Sequence, residues 1–234
     1  MDNNKFYGED DLVLNTASRV PVCLCLDTSG SMNKDGAIDK LNEGIKVFYE
    51  AIKADEQAAM SCEIAVVTFN SEVTVEEDFS LVDTKEPKDF VANGGTAMAH
   101  GVEKALDLLD ERKRKYKENG VDYYQPWLVL ITDGKPGDME DIPAAQARTK
   151  GLMESKKLVI FPIAVGNDDD SEKSHAIMDV LNGFCTRPKA RHLKGLKFEE
   201  LFEWLGKSLS TVAASQNGET VKLDVSTIDD WSEV

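Results

Sequence analysis

Three oxygen-bearing side chains stand at alternate positions early in the chain: Asp27, Ser29 and Ser31. They follow the apolar run 20–26, which predicts a buried parallel strand. An extended loop after that strand can direct residues at i, i+2 and i+4 to one side. Such oxygens suit a hard divalent cation such as Mg²⁺, which prefers oxygen ligands and near-octahedral geometry. Taken alone, the pattern fits a turn and a helix N-cap equally well.

A second acidic residue, Asp133, follows the apolar run 127–132 in the sequence Thr-Asp-Gly. The carboxyl ends of parallel strands are where open α/β sheets keep their sites. If the two strands are neighbours, Asp27 and Asp133 face the same crevice. Two carboxylates so close are costly unless a cation or a proton lies between them.

A third polar position, Thr96, follows a Gly-Gly pair and precedes a helical pattern. Glycines let the backbone approach a ligand closely, so this segment is a candidate ligand loop. Thr96 could also simply cap the helix. His100 follows four residues later on the same helix face and is the histidine that the sequence places nearest to the candidate site.

Apolar runs of strand length alternate with stretches of helical spacing. The predicted strands are 20–26, 61–70, 127–132, 158–166 and 192–193, and the predicted helical stretches are 36–52, 102–109, 144–153, 177–181 and 198–212. This alternation predicts an α/β fold with a Rossmann-like, doubly wound, mostly parallel central sheet and helices on both faces. The run 73–75 predicts a hairpin partner that gives the sheet one antiparallel edge strand.

Five further segments lead to local predictions. We expect 79–82 to lie in a long acidic connection, and the charged run 110–115 to be a solvated helix face. Pro162 predicts that its strand lies near an edge or a bulge. The acidic stretch 167–172 lacks the glycine and terminal glutamate of an EF-hand, so it favours a solvated helix start over a calcium loop. The alternation in 221–225 predicts a strand that pairs with an edge or a partner.

Composition limits the classes of function. The 234 residues suit one domain, which we divide into a lead-in (1–17), a domain (18–214) and an acidic tail (215–234). The net charge of −16 would repel nucleic acid and anionic membranes, so we expect neither as a partner. The first residues do not resemble a signal peptide and no apolar run is long enough to cross a bilayer, so we expect a cytoplasmic protein.

Four cysteines agree with that location. Cys23 and Cys25 lie in the first predicted strand, and we expect their side chains on opposite faces of the sheet, where they could not pair. Cys62 and Cys185 stand alone in the sequence. We expect all four to be reduced core residues.

Together, these motifs resemble a known family. Asp27-x-Ser29-x-Ser31, then Thr96, then Asp133 in Thr-Asp-Gly resemble the metal-ion-dependent adhesion site of von Willebrand factor A domains. The resemblance covers roughly residues 18–214. In detail the sequence is most similar to the stand-alone bacterial TerY-like group, which is linked with tellurite resistance and stress operons.

The resemblance implies a mechanism. Ser29, Ser31 and Thr96 would coordinate the ion directly, while Asp27 and Asp133 would hold its waters. An ion with mostly neutral ligands attracts an anion, so an Asp or Glu of a partner protein would complete its coordination. The implied ion is Mg²⁺, with Mn²⁺ or Ca²⁺ as alternatives, and the implied partner is a kinase or phosphatase of the same system.

Two other functions stay open from the sequence. A bound Mg²⁺ could support a metal-dependent phosphohydrolase or phosphotransfer enzyme. The sequence holds no Gly-x-Ser-x-Gly elbow and no Gly-x-x-x-x-Gly-Lys-Ser/Thr phosphate loop. The second alternative is a scaffold in which the five oxygens only cap backbone groups.

Overall fold

One central sheet carries the strands of the molecule. The computed structural model describes residues 12, 15–82, 86–166, 172–187, 189–216, 221–224, 226 and 228–233. Over these residues seven strands form a single sheet in the order β3-β2-β1-β4-β5-β6-β7. The strands are β1 Val20–Asp27, β2 Cys62–Phe69, β3 Val73–Leu81, β4 Trp127–Thr132, β5 Val159–Val165, β6 Arg191–Leu193 and β7 Ser232–Glu233.

The sheet is parallel except at its two edges. Strands β2, β1, β4, β5 and β6 pair in parallel, and β3 pairs antiparallel with β2 as the hairpin pattern predicts. The short strand β7 pairs antiparallel with β6, which adds a second antiparallel edge that the sequence pattern did not predict. Because β1 and β4 are parallel neighbours, they end at the same edge of the sheet, which we call the carboxyl edge.

Helices cover both faces of the sheet. They are α1 Ala37–Lys53, α2 Glu56–Ser61, α3 Met98–Glu118, α4 Ile142–Glu154, α5 Glu172–Asn182, α6 Phe198–Ala213 and α7 Ile228–Trp231. One apolar core joins α1 and α6 to alternate residues of β1, including Val22 and Leu24. The other joins α3, α4 and α5 to the intervening positions. The predicted doubly wound α/β fold is therefore confirmed, and β1 is buried along its whole length because both of its faces are covered.

The cysteines are partly as expected. All four are free and buried, and burial raises the pKa of the Cys25 thiol well above its usual value. The prediction that Cys23 and Cys25 lie on opposite faces is wrong. Both belong to the core with α3 and α4, because side chains two positions apart in a strand share a face.

Two local predictions for the strands have different outcomes. Residues 79–81 belong to β3 and do not lie in a connection. The pairing register of β3 with β2 shifts where Val66 meets Glu77. Such an irregularity interrupts the alternation of apolar and polar residues along β3. The second half of the strand therefore had no strand pattern in the sequence. The prediction for Pro162 holds only locally: β5 lies between β4 and β6, but β6 pairs only with Ile163–Val165, so among the described residues Pro162 has no neighbouring strand on that side.

The C-terminal segment packs on the domain in an unpredicted way. Residues 221–224 form no strand; Trp204 Nε1 instead donates to the Asp224 carbonyl at 2.6 Å. Ile228 and Trp231 are buried in the core with α6. The prediction for Val225 and that for residues 167–171 of the acidic stretch 167–172 lie outside the described residues. Within the described part of the chain, no helix is both long and apolar enough to cross a membrane.

A buried ion network lies at the amino ends of β1 and β2. The Glu63 carboxylate accepts hydrogen bonds from Arg112 Nε at 2.6 Å, Arg112 Nη2 at 2.7 Å and the Tyr116 hydroxyl. Arg19 Nε lies 3.2 Å from Glu63 Oε1, and both side chains are almost completely buried. This network joins α3 to the first two strands, at the end of the sheet opposite the carboxyl edge.

Candidate functional site

Three loops meet at the carboxyl edge and are held together by backbone hydrogen bonds. The loop after β1 receives a bond from Asn93 N–H to the Thr28 carbonyl at 2.8 Å, and Gly30 N–H donates to the Gly94 carbonyl at 3.0 Å. The loop after β4 joins them through Gly137 N–H, which donates to the Thr96 carbonyl at 2.7 Å. The backbone thus brings the three predicted polar segments together.

Asp27 forms the buried base of the site. It is fully buried; its Oδ1 accepts a hydrogen bond from Ser29 N–H at 2.7 Å and its Oδ2 accepts one from the Thr132 hydroxyl at 2.6 Å. Burial raises the pKa of Asp27 to about 6, the hydrogen bonds oppose this, and the nearby charge of Asp133 adds to it. A cation at this position would reverse the effect, because it favours the ionised form.

A chain of hydroxyl groups leads from this base to the surface. Ser29 Oγ lies 3.0 Å from Ser31 Oγ, and the exposed Ser31 hydroxyl donates to Asp133 Oδ1 at 2.7 Å. A Cβ placed on Gly134 would lie 3.7 Å from both Ser31 Oγ and Thr96 Oγ1, so these hydroxyls flank Gly134. The structure therefore gathers all five predicted residues in one small region of the carboxyl edge.

The donor set fits a hard divalent cation. Three hydroxyls and two carboxylates supply only oxygen, which is what Mg²⁺, Mn²⁺ and Ca²⁺ prefer. In the described part of the chain no group of three or more His, Cys, Asp or Glu side chains could hold a metal ion. The candidate site depends instead on its hydroxyls, and Asp133 holds the Ser31 hydroxyl in place.

The alternative in which the five oxygens only cap backbone groups holds only in part. Ser29 is the N-cap residue of the 3₁₀ turn Gly30–Gly36, but its side chain makes no capping bond. Helix α3 begins at Met98 with Ala97 as its N-cap, so Thr96 lies before the cap position. Asp27, in contrast, does accept the local turn bond from Ser29 N–H that this alternative predicts.

Two residues that support the site did not stand out in the sequence. Thr132 is fully buried and fixes Asp27; its only signal was its place in Thr-Asp-Gly. Asn70 joins two site loops, since its carbonyl accepts from Ala97 N–H at 2.7 Å and its Nδ2 donates to Asn93 Oδ1 at 3.2 Å.

His100 lies beside the site and pairs with acidic residues of the next loop. Its ring is about three-fifths exposed, with Nε2 3.0 Å from Asp141 Oδ2. Its backbone N–H donates to Asp138 Oδ2 at 3.0 Å. The structure thus pairs the ring with Asp141, the residue at the start of α4.

The site depends on a glycine at position 94. Gly94 has a φ of +71°, and a Cβ there would lie 2.7 Å from Ser71 Oγ. We expect Gly94→Ala to lower the free energy of unfolding by roughly 1–3 kcal/mol, because it adds a strained backbone conformation to a steric clash. Urea unfolding followed by circular dichroism measures this loss.

Gly95→Ala is the matched control for that variant. A Cβ on Gly95 would meet only Ser71 Oγ, at 3.4 Å, and the backbone conformation there is open to other residues. We expect a clearly smaller loss than for Gly94→Ala. Equal losses in the two variants would contradict the role given to Gly94.

Comparison with known proteins places this geometry in context. Residues 22–194 match the model of the von Willebrand factor type A domain. The chain is 31% identical to calcium-activated chloride channel regulator 1 of Sus scrofa over 121 residues, which is 49% of this chain and 12% of that protein. The chain therefore spans only a small part of the length of this relative.

Solved structures share the fold at low sequence identity. The pilus adhesin SpaC from Lactobacillus rhamnosus GG has a TM-score of 0.63 at 13% identity, covering 83% of this chain and 31% of its own. The vWF domain of the pili tip protein Mfa5 from Porphyromonas gingivalis has a TM-score of 0.61 at 12% identity, covering 88% and 99%. Proximal thread matrix protein 1 from the mussel byssus was solved with zinc in its metal-ion-dependent adhesion site (MIDAS) motif. It has a TM-score of 0.53 at 18% identity, and the match covers 86% of this chain and 47% of that protein's chain.

Proposed function

The chain belongs to the von Willebrand factor type A domain family, and on that premise we propose that it is a divalent-metal-dependent module that binds an acidic side chain of a partner protein. The observation that carries this proposal is the hydroxyl chain from buried Ser29 through exposed Ser31 to Asp133. It offers oxygen ligands along a path from the buried base to solvent.

The residues divide into two roles. Ser29, Ser31 and Thr96 would bind the ion with neutral hydroxyls, while Asp27 and Asp133 would orient those hydroxyls and the waters of the ion. The bound ion would supply an electrophilic position for a carboxylate. Because Asp27 is buried and Ser31 is exposed, an incoming carboxylate would approach from the solvent side, over Ser31.

The surface around the site supports a protein partner. Val91 and Met139 are 76% and 52% exposed. Each belongs to a loop that frames the site, since Val91 precedes the segment bonded to the β1 loop and Met139 follows Asp138. A partner bound at the ion could cover these two apolar side chains as it docks.

The ion and the setting are further parts of the proposal. We propose Mg²⁺, with Mn²⁺ or Ca²⁺ as alternatives; the zinc in the MIDAS motif of the mussel protein supports a divalent ion in general. A cytoplasmic location, a role in a bacterial stress or tellurite-resistance system, and a kinase or phosphatase as the partner rest on the sequence resemblance to the TerY-like group.

The enzyme alternative has less support. The related proteins include a pilus adhesin, a pili tip protein and a channel regulator, and family members of this kind are mostly interaction modules. A metal-dependent phosphohydrolase would instead turn over a small phosphorylated substrate in the presence of the ion. Turnover of such a substrate, abolished by chelator, would favour the alternative.

A retention experiment tests the proposal. Tagged protein is incubated with native lysate in Mg²⁺ or in chelator, beside the variants Ser29→Ala/Ser31→Ala and Ser210→Ala, a control serine on α6. We expect a discrete protein to be retained by the wild type and the control only in Mg²⁺, and by the double variant in neither buffer. If the protein is retained equally with and without chelator, and equally by the wild type and the double variant, the candidate site is not the interaction surface.

A further inference from the structure

A basic cavity lies at the end of the molecule opposite the candidate site. It has a volume of about 660 Å³ and is lined by Arg114, Lys117, Lys156 and Lys157. These four residues, which we call the basic set, lie near the C-terminal ends of α3 and α4. A concentration of positive charge at one place is unexpected in a chain with a net charge of −16.

The charges of the basic set are available to a ligand. All four residues are exposed, and within the described ranges none of them forms an ion pair with an acidic side chain. Lys113, in the same cavity, is different: its Nζ lies 2.6 Å from Asp110 Oδ1. Asp110 also lines the cavity, but it is paired with Lys113, so the basic set adds positive charge beyond that pair.

Apolar groups share the lining of the cavity. Tyr123, Tyr124, Pro126 and Leu152 contribute to its walls. The Tyr123 ring packs on Tyr116 with 5.2 Å between the ring centroids, so this wall is fixed by the core. A fixed apolar wall beside exposed ammonium groups suits an extended chain that carries both carboxylates and an apolar side chain.

The surrounding backbone disfavours a compact phosphate ligand. Phosphate sites use the N–H groups at helix N-termini, whereas α3 and α4 turn their C-terminal ends toward this cavity. The negative end of a helix dipole repels a dianion and favours the lysines themselves. A carboxylate carries a single negative charge, so the helix ends repel it less than they repel a dianionic phosphate.

We propose that this cavity docks an acidic peptide segment of a partner protein, with Asp or Glu residues on both sides of an apolar residue. The surface is independent of the metal-ion proposal, because it lies at the amino ends of β4 and β5. A partner could engage both ends of the domain, or two partners could bind at once.

Fluorescence anisotropy with a labelled short Glu-rich peptide containing one central Leu tests this proposal. Measurements in chelator keep the candidate metal site out of the result. We expect the wild type to bind the peptide, and its counterpart with Gln for every Glu to bind at least tenfold more weakly. Affinity should fall as salt rises, because exposed charges are screened.

Two variants of equal charge separate a specific site from general attraction. Arg114→Gln/Lys117→Gln/Lys156→Gln/Lys157→Gln should weaken peptide binding at least tenfold. Lys40→Gln/Lys46→Gln/Lys104→Gln/Lys207→Gln, which removes four exposed lysines elsewhere, should leave binding within a factor of about two.

Each remaining outcome overturns the proposal. An equal loss of peptide affinity in the two variants would mean that the peptide is attracted by the overall charge and not by this cavity. Binding of polyphosphate or single-stranded nucleic acid in preference to the peptide would assign it another ligand. No peptide binding by the wild type, together with lower stability of the first variant, would leave these residues the sole role of offsetting the helix dipoles.

Discussion

Affinity for Mg²⁺ is expected to fall by at least roughly 100-fold, which is ~2.7 kcal/mol, when Ser29 and Ser31 are both replaced by alanine. The two hydroxyls lie 3.0 Å apart, and together they would supply two of the three direct protein ligands. Alanine removes both oxygens and also the bond that positions Asp133. Isothermal titration of the purified protein with Mg²⁺, and separately with Mn²⁺ and Ca²⁺, measures the loss.

The fold should survive this double substitution. Ser31 is exposed, and the bonds made by the two hydroxyls stay within the site, where they join each other, Asp27 and Asp133. We expect the urea midpoint without metal to change little, as it should for Ser210→Ala. An unchanged Mg²⁺ affinity in a folded double variant would remove both serines from the metal site.

Glu63→Ala is expected to lower the free energy of unfolding by about 3–5 kcal/mol. The carboxylate is buried with Arg19 and accepts two hydrogen bonds from Arg112. Its removal takes one negative charge away from the buried Arg19 guanidinium and from Arg112, which donates two hydrogen bonds to it. Since domains of this kind are stable by about 5–15 kcal/mol in total, the loss is a large fraction. Urea unfolding with and without the substitution measures it.

Two further variants define the cause of that loss. Glu203→Ala breaks an exposed pair with Lys207 and should cost less than about 1 kcal/mol. Glu63→Gln keeps the size of the side chain but removes its charge, and we expect an intermediate loss. A loss below about 1 kcal/mol for Glu63→Ala would mean that the buried network contributes little. Mg²⁺ affinity should be unaffected in any variant that folds, since Glu63 lies far from the carboxyl edge.

The sequence was sufficient to predict the framework of the site. Strands β1 and β4 are buried on both faces, so each reads as a continuous apolar run, and a polar residue marks its end. That pattern predicted Asp27 and Asp133 at one edge. It could not show that Thr132 holds Asp27, because a buried threonine in a strand has no distinctive pattern.

Features that depend on distant pairings were not predictable in the same way. Glu63 and Arg112 are 49 residues apart, and no local periodicity links a strand to the far end of a helix. The charged run 110–115 predicted a solvated face, which Arg114 fits because it is exposed, whereas the Arg112 side chain is mostly buried against Glu63. Strand β7 has two residues, too few for any alternation.

The pairing of β7 with β6 has a consequence for how the protein is made. Arg191 and Ser232 are 41 residues apart, so a chain emerging from the ribosome exposes β6 before its edge partner exists. Exposed strand edges pair readily with other chains, and contacts between distant residues form late. Until Ser232 and Glu233 have been made, therefore, the edge of β6 lacks the strand that pairs with it in the folded domain.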